Sequence, residues 1–310
     1  MRFSANAVLE SVAHLGARGS EMTARLKGRA TVMPDRLFVP DPVASIHLQI
    51  ANFRVAEIGA GLCASDAQSI TRAVLAEQGG MDLTPQRYPG MFDELGVYVR
   101  GAERADPQSL LSKSLLEWEA VERAERRGIA GGLADADAFL DLLRSIHRSV
   151  KGGATAFRTG PVFIRPDADG NVIEFPSWQL CEPLLRALAA FTARHIGRYP
   201  ALCAMVGYAG VIHAHPFRDG NGRTARILFN LILRHGCQSR HFLPLSRLTT
   251  LSEGGFLIKL RRALYGGEWE PLATFFVDAL RLSHEIQGRN SGRNTSQTDW
   301  EFHNARSQFL

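Results

Sequence analysis

The sequence predicts an all-α protein with one small β-hairpin. Helical patterns with a period near 3.6 residues recur along the 310 residues, whereas paired β-rich runs around turn residues occur at one place only. Apolar residues make up 45% of the chain, an ordinary globular share that excludes wholesale disorder. No apolar run reaches the roughly 18 residues of a membrane helix, so we expect no membrane association.

Prolines and glycines divide the predicted helices from one another. We expect the first helix to be opened by Pro40 and Pro42, because proline favours the first helical turn. The predicted helices span residues 43–62, 108–127, 134–150, 181–196, 200–213, 221–233 and 271–287. The hairpin pairs residues 162–164 with 172–173 around an Asp- and Gly-rich turn. Residues 1–35 show no pattern that indicates which other segment of the chain they pack against.

Charge and cysteine content exclude several function classes. The net charge is +5, with 36 basic and 31 acidic residues, but no dense basic run is interleaved with aromatic residues. We therefore expect no DNA binding. The four cysteines lie far apart and form no CxxC pair, so zinc is not expected. Reduced, buried thiols indicate a cytoplasmic protein, with delivery into a host cell left open.

The segment from His215 to Arg226 carries the chemistry. Pro216 forces a loop after an apolar helix, and a second apolar helix starts near Asn221. The first N–H groups of a helix attract anions, and glycines at 220 and 222 let a phosphate approach the backbone closely.

The charged side chains of this segment fit phosphate chemistry. Arg223 and Arg226 share a face of the first helical turns, where two cations oppose the helix dipole unless an anion is bound. Asp219 is a natural Mg²⁺ ligand beside a polyphosphate. His215 is the group able to take a proton near neutral pH. Together they indicate phosphoryl or nucleotidyl transfer.

The same segment matches the signature H-P-F-x-[D/E]-G-N-G-R-x-x-R at every specified position and so resembles the Fic (Fic/Doc) family. The resemblance implies a helical bundle in which the hairpin is a target-positioning flap. It implies transfer of AMP from ATP, with Mg²⁺, to a Tyr, Thr or Ser hydroxyl of a target protein. Its site residues would be the general base His215, the metal ligand Asp219, the anion hole Gly220, Asn221 and Gly222, and the phosphate-binding Arg223 and Arg226.

The resemblance covers residues 106–285 as the catalytic domain. It leaves 1–105 as a mostly helical region of unassigned role and 286–310 as a flexible polar tail. An exposed strand edge of the flap is expected to pair with an extended target segment. Gly222 favours nucleotide transfer, because relatives of the Doc branch that act as kinases carry Lys there.

Several alternatives stay open. The same fold could transfer UMP or phosphocholine, remove AMP, or bind a nucleotide without turnover. Residues 220–225 also fit a loose dinucleotide fingerprint, but a helix rather than a strand precedes them. A metal site of His213, His215 and Asp219 is a weaker reading than a structural role for His213. A toxin or effector role, an antitoxin-like inhibitor and an oligomer are compatible with the sequence.

Regulation is where the sequence departs from the family. Many members carry an inhibitory helix, [S/T]-x-x-x-E-[G/N], whose Glu pairs with the second motif arginine. The match at 249–254, with Glu253, lies among ordinary structural helices and is taken as coincidence. The helix at 117–128 has Arg127 rather than Glu before its terminal glycine. We therefore expect either no inhibition of this kind or a Glu supplied by a separate partner.

Overall fold

A computed structural model describes most of the chain in segments. The described residues are 30–60, 84, 86–92, 107–133, 135–153, 155–164, 172–238, 242–252 and 254–290. Within these segments, no helix combines the length and the apolar character needed to cross a membrane.

Helices make up most of the described structure, as the sequence predicted. They are α1 (Ile46–Ala60), α2 (Pro107–Arg126), α3 (Ile129–Gly132), α4 (Ala136–Lys151), α5 (Cys181–His195), α6 (Pro200–Ala214), α7 (Asn221–Cys237), α8 (Leu245–Leu251), α9 (Gly255–Gly266) and α10 (Glu270–Asn290). The all-α prediction is thus confirmed, and the helices α3, α8 and α9 are additions to the predicted set.

The start of α1 differs from the prediction. Asp41 accepts a hydrogen bond from the N–H of Val43 at 2.9 Å, and this Asx turn keeps the residues after Pro40 and Pro42 out of the helix. The Ser45 hydroxyl instead receives the N–H of Leu48 at 3.3 Å, as a helix N-cap does. The helix therefore begins after serine and not at proline.

The centre of the fold is the pair α6 and α7. All residues of α6 except Ile212 are buried. A β-carbon on Gly207 would lie 2.8 Å from Cδ1 of Ile232 on α7, so the glycine allows the two helices to approach closely. The loop that joins these helices, residues 215–220, is therefore anchored at both ends in closely packed helices.

The small sheet contains a strand that the sequence analysis missed. Strand β1 (Ala30–Val32) pairs in parallel with β2 (Val172–Glu174), with Ala30 opposite Val172. On the other side of β2, the N–H of Ile164 donates to Ile173 O at 3.0 Å, and Phe163 forms an antiparallel bridge with Glu174. The hairpin pairing is confirmed, and its turn lies outside the described residues.

This arrangement narrows the expectation of an exposed flap edge. Both edges of β2 have partners, so an incoming target strand would use the outer edge of residues 162–164 or of β1, and such pairing stays a prediction. Val32 and Ile164, on those two outer arms, are 42% and 47% exposed.

The N-terminal region packs on the same core as the helices that follow it. Met33, Leu48, Tyr88 and Met91 belong to one hydrophobic cluster with the α6–α7 pair. The predicted domain boundary at 105 stays a prediction, and of the predicted tail the structure describes only the end of α10. Cys181 and Cys203 are free and buried and Cys237 is free and half-buried, as expected, while Cys63 lies outside the described residues.

Candidate active site

The backbone at the end of α6 takes an unusual shape. His215 has φ 45° and ψ 54°, in the left-handed region, while its N–H still bonds Val211 O at 3.0 Å. Such a conformation costs a non-glycine residue about 1–2 kcal/mol. Residues held in this way cluster at functional sites.

A buried arginine that the sequence analysis missed holds this turn. Arg158 is 4% exposed, and its Nε donates to His215 O at 2.8 Å. Its backbone N–H donates to Pro216 O at 2.7 Å, and its guanidinium also bonds the carbonyls of Gly160 and Pro176. Burial lowers the pKa of Arg158. One planar cation thereby joins the loop, the hairpin arm and the chain before α5.

The His215 ring is neutral at pH 7. It stacks on Phe175, with ring centroids 3.7 Å apart and planes 20° from parallel, and its Nδ1 lies 3.4 Å from Ile212 O. Burial lowers the pKa of His215 to about 4. With the proton on Nδ1, the Nε2 atom is left as an acceptor, which is the form a general base requires.

The side chain of Asn221 closes the loop between the two helices. Its Oδ1 accepts the N–H of Phe217 at 3.0 Å, and its Nδ2 donates to Phe217 O at 2.7 Å. Phe217 is buried and stacks on His147, 3.8 Å between centroids and 9° from parallel. Gly220 has φ 83°, and a β-carbon there would lie 3.0 Å from Cγ of Lys151. The start of α7 therefore has no side chain at Gly220, and the Asn221 hydrogen bonds hold it in place.

Asp219 already has partners on both carboxylate oxygens. Oδ1 accepts the N–H of Gly220 at 2.6 Å, and Oδ2 forms an ion pair with Lys151. The hydrogen bond from Lys151 is the main cause that lowers the pKa of Asp219. In the described residues no three His, Cys, Asp or Glu side chains form a metal-binding group, so His213, His215 and Asp219 do not make one. A single carboxylate fits Mg²⁺ that arrives with phosphate oxygens.

The two arginines of the motif, Arg223 and Arg226, differ in their contacts. Arg223 Nη1 lies 3.4 Å from Val150 O. Arg226 is held by Glu117 of α2, with Nε–Oε1 at 2.9 Å and Nη2–Oε1 at 2.6 Å. Glu117 is 2% exposed, so this contact is a buried ion pair.

The contact with Glu117 bears on the expectation about regulation, because this carboxylate on Arg226 comes from the chain itself. The expectation of no such inhibition, or of a Glu supplied by a separate partner, stays a prediction. The inhibitory pattern did not find Glu117, because Lys113 stands four residues before it and Trp118 follows it. The available signal was its place on the buried face of α2, one turn from the buried residues Ser114 and Val121. Glu253 lies outside the described residues, and its reading as coincidence stays a prediction.

Comparisons with known proteins found a family model and several solved structures that are similar to this chain. Residues 137–233, which contain the whole 215–226 segment, match the Fic/DOC family model. A Fic family protein from Desulfovibrio desulfuricans is similar over 82% of this chain and 70% of its own, at 18% identity and TM-score 0.47. Fic-1 from C. elegans is similar over 81% and 74%, at 17% identity and TM-score 0.47. IbpAFic2 covalently tethered to Cdc42 is similar over 88% and 82%, at 15% identity and TM-score 0.44.

Proposed function

We propose, from the premise that this chain is a Fic family protein through residues 137–233, that it transfers AMP from ATP to a Tyr, Thr or Ser hydroxyl of a target protein. The observation that supports this most directly is the position of His215, whose ring stacks on Phe175 and which lies just before the glycine-bordered N-terminus of α7. A base next to an anion-binding helix end suits a nucleophilic attack on phosphorus.

The reaction balances with the residues at hand. His215 Nε2 takes the hydroxyl proton of the target, and the hydroxyl oxygen bonds to the α-phosphorus of ATP. The bond from that phosphorus to the bridging oxygen breaks, and pyrophosphate leaves. The amides at Gly220–Gly222 and the side chain of Arg223 would hold the phosphates. Asp219 would hold Mg²⁺, which neutralises phosphate charge when bound.

We infer that the contact between Glu117 and Arg226 restrains the activity of the enzyme. Outer phosphates of ATP and the carboxylate of Glu117 would compete for the same guanidinium, because Arg226 uses both Nε and Nη2 on Glu117. We propose that productive ATP binding requires Arg226 to leave Glu117. On this proposal the chain restrains its own activity without an antitoxin-like partner.

The test compares the wild type with His215→Ala and Glu117→Gln. Each protein is incubated with Mg²⁺, a cell lysate and one α-labelled nucleoside triphosphate at a time. We expect protein labelling that needs His215, prefers ATP and increases in the Glu117 variant. Preference for UTP would replace AMP by UMP. ATP binding without any His215-dependent labelling, even in the Glu117 variant, would refute adenylyl transfer.

A further inference from the structure

The last turn of α4 contacts the loop that carries Asp219. His147 Nε2 lies 3.0 Å from Asp219 O, and Val150 O lies 3.4 Å from Arg223 Nη1. Lys151, the last residue of α4, forms the ion pair with the Asp219 carboxylate. Two positions of this helical turn therefore contact Asp219 in the loop and a third contacts Arg223 at the start of α7, and the cationic position pairs with the Asp219 carboxylate.

The ion pair between Lys151 and Asp219 is open to exchange. The two side chains are 36% and 68% exposed. Pairs exposed to this degree contribute little, because water screens their charges, so a ligand can displace either partner at little cost. A lysine carries a compact charge on a flexible stem, which can turn without moving the helix.

The stem of Lys151 lies beside the glycines of the anion site. Its Cγ would be 3.0 Å from a β-carbon on Gly220, so Gly220 is its direct neighbour. A rotation at the end of the stem can carry the ammonium from Asp219 toward phosphates bound at the start of α7. Arg226 cannot supply that charge while Glu117 holds it.

We propose that Lys151 is a resident cation of the nucleotide site: it neutralises Asp219 while metal is absent, and so lets the phosphates of a nucleotide bind before the metal. Asp219 would hold the metal when it is bound, and the ammonium of Lys151 would then face the phosphates. This inference rests on the proposed function, because it requires a nucleotide phosphate at the start of α7. It assigns a positioning role to a residue outside the 215–226 segment.

The test measures nucleotide affinity with and without metal. The probe is α,β-methylene-ATP, which cannot release AMP, and its binding to the full chain is measured by calorimetry in EDTA and in Mn²⁺. In Lys151→Met, the bare Asp219 carboxylate should repel the phosphates in EDTA, whereas Mn²⁺ should mask it. We expect the dissociation constant in EDTA, divided by the dissociation constant in Mn²⁺, to be about two- to fivefold larger in Lys151→Met than in the wild type. This is the range of a partly screened ion pair.

Two controls separate this role from general damage. Lys151→Arg should keep the wild-type ratio, because it keeps the charge. Lys113→Met, at an exposed lysine of α2, should change neither affinity. Mn²⁺ binding to the nucleotide complex, followed by electron paramagnetic resonance, gives an independent readout.

Four outcomes would overturn the inference. Equal weakening of both affinities in Lys151→Met would indicate a merely structural residue, and no change would indicate no role. A wild type that binds the analogue with Mn²⁺ but not in EDTA would refute the inference and leave the proposed function intact. A wild type that binds it under neither condition would refute both.

Discussion

Replacing Glu117 by Gln tests whether the chain restrains its own active site. The amide keeps the shape of the carboxylate and loses its charge, so it holds the Arg226 guanidinium less firmly. Arg226 should then be free for the outer phosphates of ATP, and we expect the affinity for ATP and the rate of transfer to rise together.

The size of the effect follows from the contacts. Nε and Nη2 of Arg226 donate to a carboxylate that is 2% exposed. Hydrogen bonds to charged groups contribute about 1.5–3 kcal/mol, which corresponds to about ten- to a hundredfold in a dissociation constant. Because Gln still offers one acceptor, we expect about tenfold. The same change leaves a largely buried guanidinium without its counter-charge, so the free energy of unfolding should fall.

The assay measures both quantities in the same preparations. Calorimetry with α,β-methylene-ATP and Mg²⁺ gives the affinity, and urea unfolding without nucleotide gives the stability. Glu119→Gln, an exposed carboxylate of the same helix, is the matched control and should change neither. A folded Glu117→Gln protein with unchanged or weaker ATP affinity would refute the reasoning.

Three further predictions concern the groups around the motif. Because burial lowers the pKa of His215 to about 4, kcat/KM should stay level down to about pH 5.5 and fall below it; loss near pH 6.5 would contradict this. Arg158→Gln should lower the transfer rate at least about a hundredfold in a protein that remains folded by circular dichroism, since it releases the His215 carbonyl; a rate within about twofold of wild type would exclude this positioning role. His213 is buried, and burial lowers its pKa to about 4, below its unfolded value. Its stabilisation is therefore complete above about pH 6.5 and falls by about 2 kcal/mol by pH 5, a loss that urea titrations should show to be smaller in His213→Leu.

The helices could be predicted because their signals are local. The apolar pattern after Asn221 and the proline at Pro200 specify α7 and α6 within a few residues of their observed bounds. Strand β1 has no such signal, because three residues form a strand only through pairing with Val172–Glu174, far along the chain. The helix start near Pro40 was misplaced since Asp41 uses the same backbone N–H groups for a turn.

The candidate site, like the fold, could be predicted only where its signal is local in the sequence. The segment from His215 to Arg226 was found by its spacing, and its roles as base, metal ligand and phosphate ligands stay predictions. Asn221 was expected at the anion hole, and the structure adds that its side chain is committed to the peptide of Phe217. Arg158 and Lys151 could not be assigned from spacing, because each reaches the loop from a different part of the chain.

Helix α2 extends the functional unit beyond the segment that matches the family. Arg226 and Arg234 are 234 − 226 = 8 residues apart on α7, and their partners Glu117 and Glu125 are 125 − 117 = 8 residues apart on α2. Because both helices rise equally per residue, the two pairs form at once with the helices side by side. Arg234 is 1% exposed and also pairs with Glu122, so this end of α2 is a fixed anchor. We therefore expect α2 to stay on α7 through Arg234 when Arg226 leaves Glu117, which lies near the middle of α2.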